Sequence, residues 1–390
     1  MNILKIPRRQ LTLALLALGT FTVGTDAFVV AGVLPAMAKG LGVTPAAAGL
    51  SVTLFALVYA LGAPLLAALT AGLPRRRLLV AALATLAVAN LAAASARQLD
   101  ELLASRALAA LGAAAYTPAA GALAASLFGP RHRGRALSVV IGGLTLATAL
   151  GVPLGGLVAH WLSWRDTLAG VGLLALAVGI AQISAAGGQP GLRAPGLGER
   201  LAAGFRPGVP ATLLLTMIGM TASYTLYPYT LPVMTALGAS PPAANGVLFL
   251  YGAGALLGNL LCGHATDRWG SERVLGWAYV VMCAAFALLL AAFAQPETRP
   301  ALLPVAAALW GGSTWSQTPP QQHRLIALAP DAGQLLIALN ASAIYLGIGA
   351  GAVLGGLAMR ADAQTIVLTG LLLAALALTL LRRRPPPGGA

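Results

Sequence analysis

Twelve apolar stretches of about 20 residues dominate this sequence, and a stretch of that length and character is what a helix needs to cross a bilayer. They run near 11–34, 47–71, 77–96, 101–127, 136–161, 165–186, 209–234, 243–266, 273–294, 300–320, 332–358 and 363–381. In lipid every backbone N–H and C=O must be satisfied within its own helix or in a closed barrel. The alternating strand pattern of a barrel is not seen, so the expected class is all-α: a polytopic membrane protein with twelve transmembrane helices. Composition agrees, since only 9% of residues are charged against roughly 25% in soluble domains. The mean hydropathy is +0.83.

The net charge of +14 raises the question of a nucleic-acid partner, and the placement of the charges answers it. With the N-terminus in the cytoplasm, 18 of the 24 Lys and Arg residues fall on the cytoplasmic side, among them Arg75, Arg76, Arg77, Arg131, Arg133 and Arg135. Five (Lys39, Arg97, Arg165, Arg299 and Arg360) fall on the far side, and Arg106 lies inside the fourth span. This is the positive-inside pattern. It predicts an inner-membrane, multi-pass protein with both termini cytoplasmic, whose charge faces the lipid bilayer and not nucleic acid. A cleaved leader is the competing reading of the N-terminus, because Lys5, Arg8 and Arg9 precede an apolar run and Ala36-Met37-Ala38 mimics a cleavage site. The run is too long for a leader and carries Asp26, so it reads as the first span. Cys262 and Cys283 fall within spans and read as small hydrophobes.

Two halves are expected: a six-helix bundle over 1–186, a Gly-, Pro- and Arg-rich cytoplasmic linker over 187–208, and a second six-helix bundle over 209–390. Internal repetition supports the division. Gly151-Val152-Pro153-Leu154-Gly155-Gly156-Leu157 matches Gly351-Ala352-Val353-Leu354-Gly355-Gly356-Leu357, and Leu73-Pro74-Arg75-Arg76-Arg77 corresponds to Trp269-Gly270-Ser271-Glu272-Arg273. Duplicated bundles suit an alternating-access transporter, in which two similar units rock about a midplane site.

Asp26 is the acidic residue placed deep in a span, at a cost of roughly 2.5 to 3.5 kcal/mol on insertion scales. Such groups usually mark ion or substrate pathways. Counting 1.5 Å per residue from the expected span ends puts Asp26 roughly 12 Å deep and Arg106 roughly 8 Å deep, so the two can meet. Burial alone favours the neutral acid, whereas a neighbouring guanidinium favours the carboxylate, and separating the two would move a proton. The other reading, a fixed ion pair holding the first and fourth spans together, stays open.

Several motifs resemble one family. Gly263-His264-Ala265-Thr266-Asp267-Arg268-Trp269-Gly270 resembles the G-x-x-x-D-R-x-G loop of the major facilitator superfamily, and Gly151-Val152-Pro153-Leu154-Gly155-Gly156 resembles the fifth-helix motif of its proton-coupled antiporters. Gly24-Thr25-Asp26-Ala27-Phe28-Val29-Val30-Ala31-Gly32-Val33-Leu34-Pro35 is similar to the first helix of its twelve-helix drug:proton antiporters of the arabinose-efflux-permease type, where an acid is common. Leu339-Asn340-Ala341-Ser342-Ala343-Ile344-Tyr345-Leu346-Gly347 resembles their eleventh helix. The resemblance implies the major facilitator fold, proton-coupled efflux, and coupling roles for Asp26 and Arg106. In the first half, Ala71 stands where the family's loop acid would be and Pro74 where its second Gly would be, which turns attention to Asp267 and Arg268 as the cytoplasmic gate contact. A plain helix cap or surface pair is the alternative for those two.

In the fifth span, Gly151 and Gly155 let a neighbouring backbone approach and Pro153 bends the helix, so tight packing between the halves is expected there. Tyr59, Tyr116, Tyr224, Tyr227, Trp310, Asn340 and Tyr345 fall centrally in their spans and offer flat faces with polar tips, suited to small neutral or amphipathic cargo such as sugars, nucleosides or amphenicol-like antibiotics. Each could instead fill a helix interface. An ATP-driven pump lacks its G-x-x-x-x-G-K-[ST] loop, and an enzyme its cluster, because His132, His160, His264 and His323 stand apart without ligand spacing. Filter-like rings of a channel are not visible either. The expectation is a monomeric exporter with no cofactor, taking a small molecule and a proton as partners. An importer on the same scaffold is the alternative, and a non-transporting membrane sensor the distant one.

Overall fold

The computed structural model describes residues 8–70, 72–128, 133–185, 198, 202 and 204–382. Their regular structure is helical. In the first half, α1 (Arg8–Phe28) and α2 (Val30–Leu41) make one span broken at Val29, followed by α3 (Pro45–Leu69), α4 (Arg75–Ser95) and α5 (Leu99–Leu127). The fifth span is α6 (Arg133–Leu146), a π turn (Ala147–Gly151) and α7 (Val152–Trp161), and α8 (Trp164–Ala185) is the sixth. The second half opens with α9 (Val209–Leu226), a 3-10 turn (Tyr227–Tyr229) and α10 (Thr230–Ala236) as one span, then α11 (Pro241–Trp269) and α12 (Ser271–Ala294). It closes with α13 (Arg299–Trp315) and α14 (Thr318–Leu328) as the tenth span, α15 (Gly333–Ala358) and α16 (Ala363–Arg382). The chain is thus a twelve-span membrane protein built of two six-helix bundles.

Among the described residues, 11 helices are long and apolar enough to cross a membrane. The tenth span is the exception. Its 17-residue α13 stops at Trp315, and Pro319 and Pro320 at the start of α14 cannot donate the hydrogen bonds that would continue it. The first span runs past the expected residue 34 to Leu41, where Gly42 adopts φ 66° and returns its N–H to Ala38 and Lys39. Asp362 caps α16 by accepting from the Thr365 N–H at 2.6 Å, which holds its carboxyl below the usual range. The expected linker lies outside the described residues except for 198, 202 and 204–208, as do Ala71, the first seven residues and the last eight.

The internal repeat is also a packing repeat. A Cβ at Gly151 would strike Thr25, and one at Gly155 would strike Val29. Two hundred positions on, a Cβ at Gly351 would meet the backbone of Thr221, Tyr224 and Thr225, and one at Gly355 would meet Thr225 and the Tyr229 ring. Each glycine run therefore seats the first helix of its own bundle. This corrects the expectation for Gly151 and Gly155: they pack within the first half. It is Gly156 that faces the second, since a Cβ there would lie 2.9 Å from Asn245 Oδ1. Pro153 supplies no N–H to the preceding turn, and the π turn lies directly before it, with the Val152 N–H reaching back to Ala147.

The halves meet along α3 and α15 and between α11 and the fifth span. There Tyr229 reaches between Gly49 of α3 and Gly356 of α15 and donates to the Ala352 carbonyl at 2.8 Å. Nearer the middle, Gly252 of α11 lies on the backbone of Thr148 and Ala149. Within the second half, Gly254, Gly258, Gly311 and Gly312 bring the backbones of α11 and α13 together, and Gly311 sits against the Tyr251 carbonyl. Because that neighbour is backbone, it cannot yield to a side chain. Gly311→Val is expected to destabilise the fold by at least about 3 kcal/mol, the upper end of overpacking costs. Thermal unfolding of the purified protein in detergent measures this, and an unchanged midpoint would contradict the packing described.

Candidate functional site

Asp26 and Arg106 are in contact. Arg106 Nη1 donates to Asp26 Oδ1 at 2.5 Å and Nη2 to the Asp26 backbone carbonyl at 3.0 Å. The second bond is available because Asp26 lies in the last turn of α1, where helix carbonyls lose their intrahelical donors. The side chains are 0% and 1% exposed, whereas the Glu272–Arg324 pair, at 3.8 Å, has its carboxylate 45% exposed. Asp26 Oδ2 and Arg106 Nε have no hydrogen-bond partner. The pair is therefore held at one oxygen and open at the other. Two hundred positions on stand Leu226 and Ala306, both fully buried, so the repeat does not reproduce the pair at those positions.

Aromatic rings carry the pair's surroundings across to the second half on two sides. On one, the Arg106 guanidinium lies 4.6 Å from the Phe55 ring centroid, Phe55 stacks on Tyr59 at 6.4 Å, and Tyr59 stacks on Tyr345 of the other half at 3.6 Å. On the other, Phe28 is two residues beyond Asp26 and ends α1. Its ring meets Tyr224 at 6.2 Å, Tyr227 at 6.2 Å and Trp315 at 5.9 Å. Those rings continue into a nest, with Tyr224 to Tyr227 at 5.1 Å, Tyr227 to Tyr251 at 4.8 Å and Tyr251 to Trp310 at 4.4 Å.

The nest has one fixed corner. Trp310 Nε1 donates to Ser223 Oγ at 2.8 Å, Ser223 shares a 2.6 Å bond with Thr314, and Thr314 donates to the Trp310 carbonyl at 2.7 Å. By contrast, the hydroxyls of Tyr224, Tyr227 and Tyr251 and the indole N–H of Trp315 are buried without a well-aligned hydrogen bond, although Tyr251 lies within reach of Ser223, Thr314, Trp315 and Tyr224. Each such omission costs about 1–3 kcal/mol.

Other residues singled out in the sequence lie elsewhere. Tyr116 is a tie between α1, α5 and α8: it accepts from Gln182 Nε2 at 2.5 Å and points to the Leu16 carbonyl at 3.4 Å. Asn340 accepts from Thr216 at 2.9 Å, joining α15 to α9, and its Nδ2 is unpartnered. Asp267 and Arg268 are both exposed at the end of α11, where Arg268 lies over the Trp269 ring at 5.4 Å. Among the described residues no ion pair joins either to the first half. Cys262 is buried and Cys283 half-buried, and neither forms a disulfide. Sequence reasoning passed over Phe28, Phe55, Tyr251, Trp315, Ser223 and Thr314. Tyr251, central in a long apolar span, met the same criterion as the tyrosines that were chosen.

A family model described as Major Facilitator Superfamily matches residues 16–203 and 212–390. The inner membrane transport protein YdhP of Escherichia coli (strain K12) is 32% identical over 369 residues, covering 94% of this chain and 93% of that protein. The uncharacterized MFS-type transporter YbcL of Bacillus subtilis (strain 168) is 31% identical over 346 residues, covering 88% and 87%. A chloramphenicol resistance protein of Streptomyces lividans is 34% identical over 306 residues, covering 73% and 76%. Among solved structures, a bacterial homolog to the human lysosomal transporter Spinster, inward-facing and occupied, superposes with a TM-score of 0.77 at 19% identity, covering 98% of this chain and 100% of that one. That last likeness is one of fold.

Proposed function

The chain belongs to the Major Facilitator Superfamily and is a multi-pass membrane transporter, and on that premise we propose that it exports small neutral or amphipathic molecules in exchange for protons. The observation that carries this reading is the buried Asp26–Arg106 pair, bonded at one carboxylate oxygen and unpartnered at the other. A carboxylate that keeps a free lone pair beside a guanidinium can take a proton when the guanidinium turns away and release it when the guanidinium returns. Phe28 and Phe55 connect that event to rings of the second half, so rocking of one bundle on the other changes the environment of the acid. Cargo passes between the halves, against Tyr59, Tyr345 and the nest of Tyr224, Tyr227 and Trp310. Tyr116 and Asn340 serve packing. Asp267 and Arg268, with no ion pair to the first half among the described residues, form the gate contact on the cytoplasmic face when that face closes, with Gly151, Pro153 and Gly155 as the bend on which the first span moves. Each chain carries a complete pathway, so a monomer suffices.

Export is favoured by the similarity to a protein named for chloramphenicol resistance, and chloramphenicol heads the panel to test, with sugars and nucleosides beside it. In inside-out vesicles an acid lumen should speed accumulation several-fold, and a protonophore should remove the effect. Transport indifferent to protonophore, with no other ion gradient present, would falsify proton coupling. Cargo moving in the same direction as protons would make the protein an importer.

The same proposal places both chain ends and the 187–208 linker in the cytoplasm, as the charge asymmetry requires. In a background lacking Cys262 and Cys283, single cysteines at Gly188 and Gly389 should resist an impermeant thiol reagent in intact cells. A cysteine at Ala361, which is exposed between α15 and α16, should react. The reverse pattern would invert the topology.

A further inference from the structure

The repeat that seats the first span of each bundle departs from symmetry at one place, and the difference faces the other half. Val29 and Tyr229, two hundred positions apart, both stand at the break in the first span of their half. Both lie against the matching glycine, Gly155 for one and Gly355 for the other. The valine ends there. The tyrosine, 1% exposed, goes on by a ring and a hydroxyl, and its tip passes Gly356 to occupy the place where a Cβ on Gly49 of the first half would stand.

A second corner repeats the arrangement with the sizes exchanged. The register that pairs Leu73 with Trp269 also pairs Thr44-Pro45 with Ser240-Pro241, and it sets Asn245 where the first half has Gly49. Here Val29 is the short side chain and Asn245 the one that crosses: a Cβ at Gly156 would lie 2.9 Å from its Oδ1. Both corners are therefore filled from the second half, and both receiving glycines belong to the first.

The bonding suits a contact that has to part. Tyr229 donates to the Ala352 carbonyl inside its own half, so separating the halves leaves that bond whole and strands no donor. Asn245 Oδ1 makes no hydrogen bond, so none is lost when it leaves Gly156. What holds these corners is close packing, of which a gap of about 1 Å forfeits up to half. We propose that Tyr229 seated on Gly49 is a latch, which holds the end of the molecule where α2 and α15 terminate shut at rest and releases it without breaking a hydrogen bond. On the topology proposed above this is the outer end, and nothing else in the inference rests on that reading.

Spin labels read the two halves directly. Cysteines at Lys39, in the last turn of α2, and at Ala361, between α15 and α16, are exposed at this end, and a background lacking Cys262 and Cys283 keeps the labelling specific. Pulsed electron resonance on the purified full chain in detergent should give one dominant short separation. Tyr229→Val, which trims the side chain to that of its repeat counterpart, and Gly49→Ala, which puts a methyl where the hydroxyl sits, should each raise the ratio of long to short separations by about tenfold or more. The methyl acts only against the tyrosine. In the Tyr229→Val background, Gly49→Ala should therefore change the ratio by less than about twofold. A merely destabilised fold would lower the thermal midpoint without producing a second, longer separation. Should Tyr229→Val not fold, Tyr229→Phe keeps the ring, removes the atom that the methyl strikes, and should blunt the effect of Gly49→Ala. Separations unmoved by Gly49→Ala overturn the latch, and so does a Gly49→Ala effect of the same size with and without the tyrosine hydroxyl. No cargo or gradient enters the measurement, so the latch and proton-coupled export stand or fall separately.

Discussion

Asp26→Asn is expected to slow gradient-driven transport by about 100-fold or more, the contribution that a positioned proton-transfer group commonly makes. The fold should survive, because asparagine keeps an oxygen where Arg106 Nη1 donates. The backbone carbonyl that takes Nη2 and the Phe55 ring beneath the guanidinium are untouched. The side chain loses only its ability to ionise. Cargo binding should therefore persist within a few-fold, and cargo exchange without a gradient should continue. Parallel loss of expression, binding and transport would instead assign Asp26 to holding α1 against α5.

Arg106→Ala is expected to impair transport as strongly and stability more. Breaking a buried pair by removing one partner costs about 3–5 kcal/mol, because the remaining charge is left uncompensated. Here the loss also strips the Asp26 carbonyl of its donor and Phe55 of its cation. The carboxyl left behind relieves part of the cost by holding its proton, and an acid that never lets go cannot couple. If the two residues act as one unit, the double variant Asp26→Asn/Arg106→Ala should transport no worse than the poorer single variant. Fully additive losses in transport would mean that the two work separately.

The spans were legible because bilayer thickness imposes a length that no soluble helix must respect, and their irregularities were legible only in part. Pro153 was read as a bend, and the structure places a π turn directly before it. The break after Trp315 was not anticipated, although Pro319 and Pro320 stood in the sequence, because the apolar run to residue 320 concealed it. Depth arithmetic brought Asp26 to Arg106 from a first span taken to end at residue 34. The span continues to Leu41, so residue 34 was the wrong end to count from, and the two side chains meet all the same.

The site was half legible for a physical reason. A charge in an apolar span announces itself by its cost, and Asp26 and Arg106 did so. An aromatic ring in the same span costs nothing, so Tyr251 and Trp315 looked like packing and Phe28 like one more apolar residue. The stacking of Tyr59 on Tyr345 joins residues of different halves, and no local pattern encodes such a meeting. The glycine runs show the reverse case. Their repetition at an offset of 200 was visible, but whether they faced their own half or the other depended on which helix lay against them, and Thr25 with Val29 is a neighbour that the repeat alone does not name.

Proton movement counted alongside cargo movement tests the central claim most directly. Proteoliposomes holding a trapped pH-sensitive dye, with a cargo gradient and no imposed pH gradient, report both fluxes in one preparation. Cargo entering the lumen through the unaltered protein should drive protons out at a fixed ratio, and the Asp26→Asn protein should move cargo, if at all, with no accompanying pH change. Protons moving with cargo at the unaltered ratio through the Asp26→Asn protein would contradict the assignment of the coupled proton to Asp26.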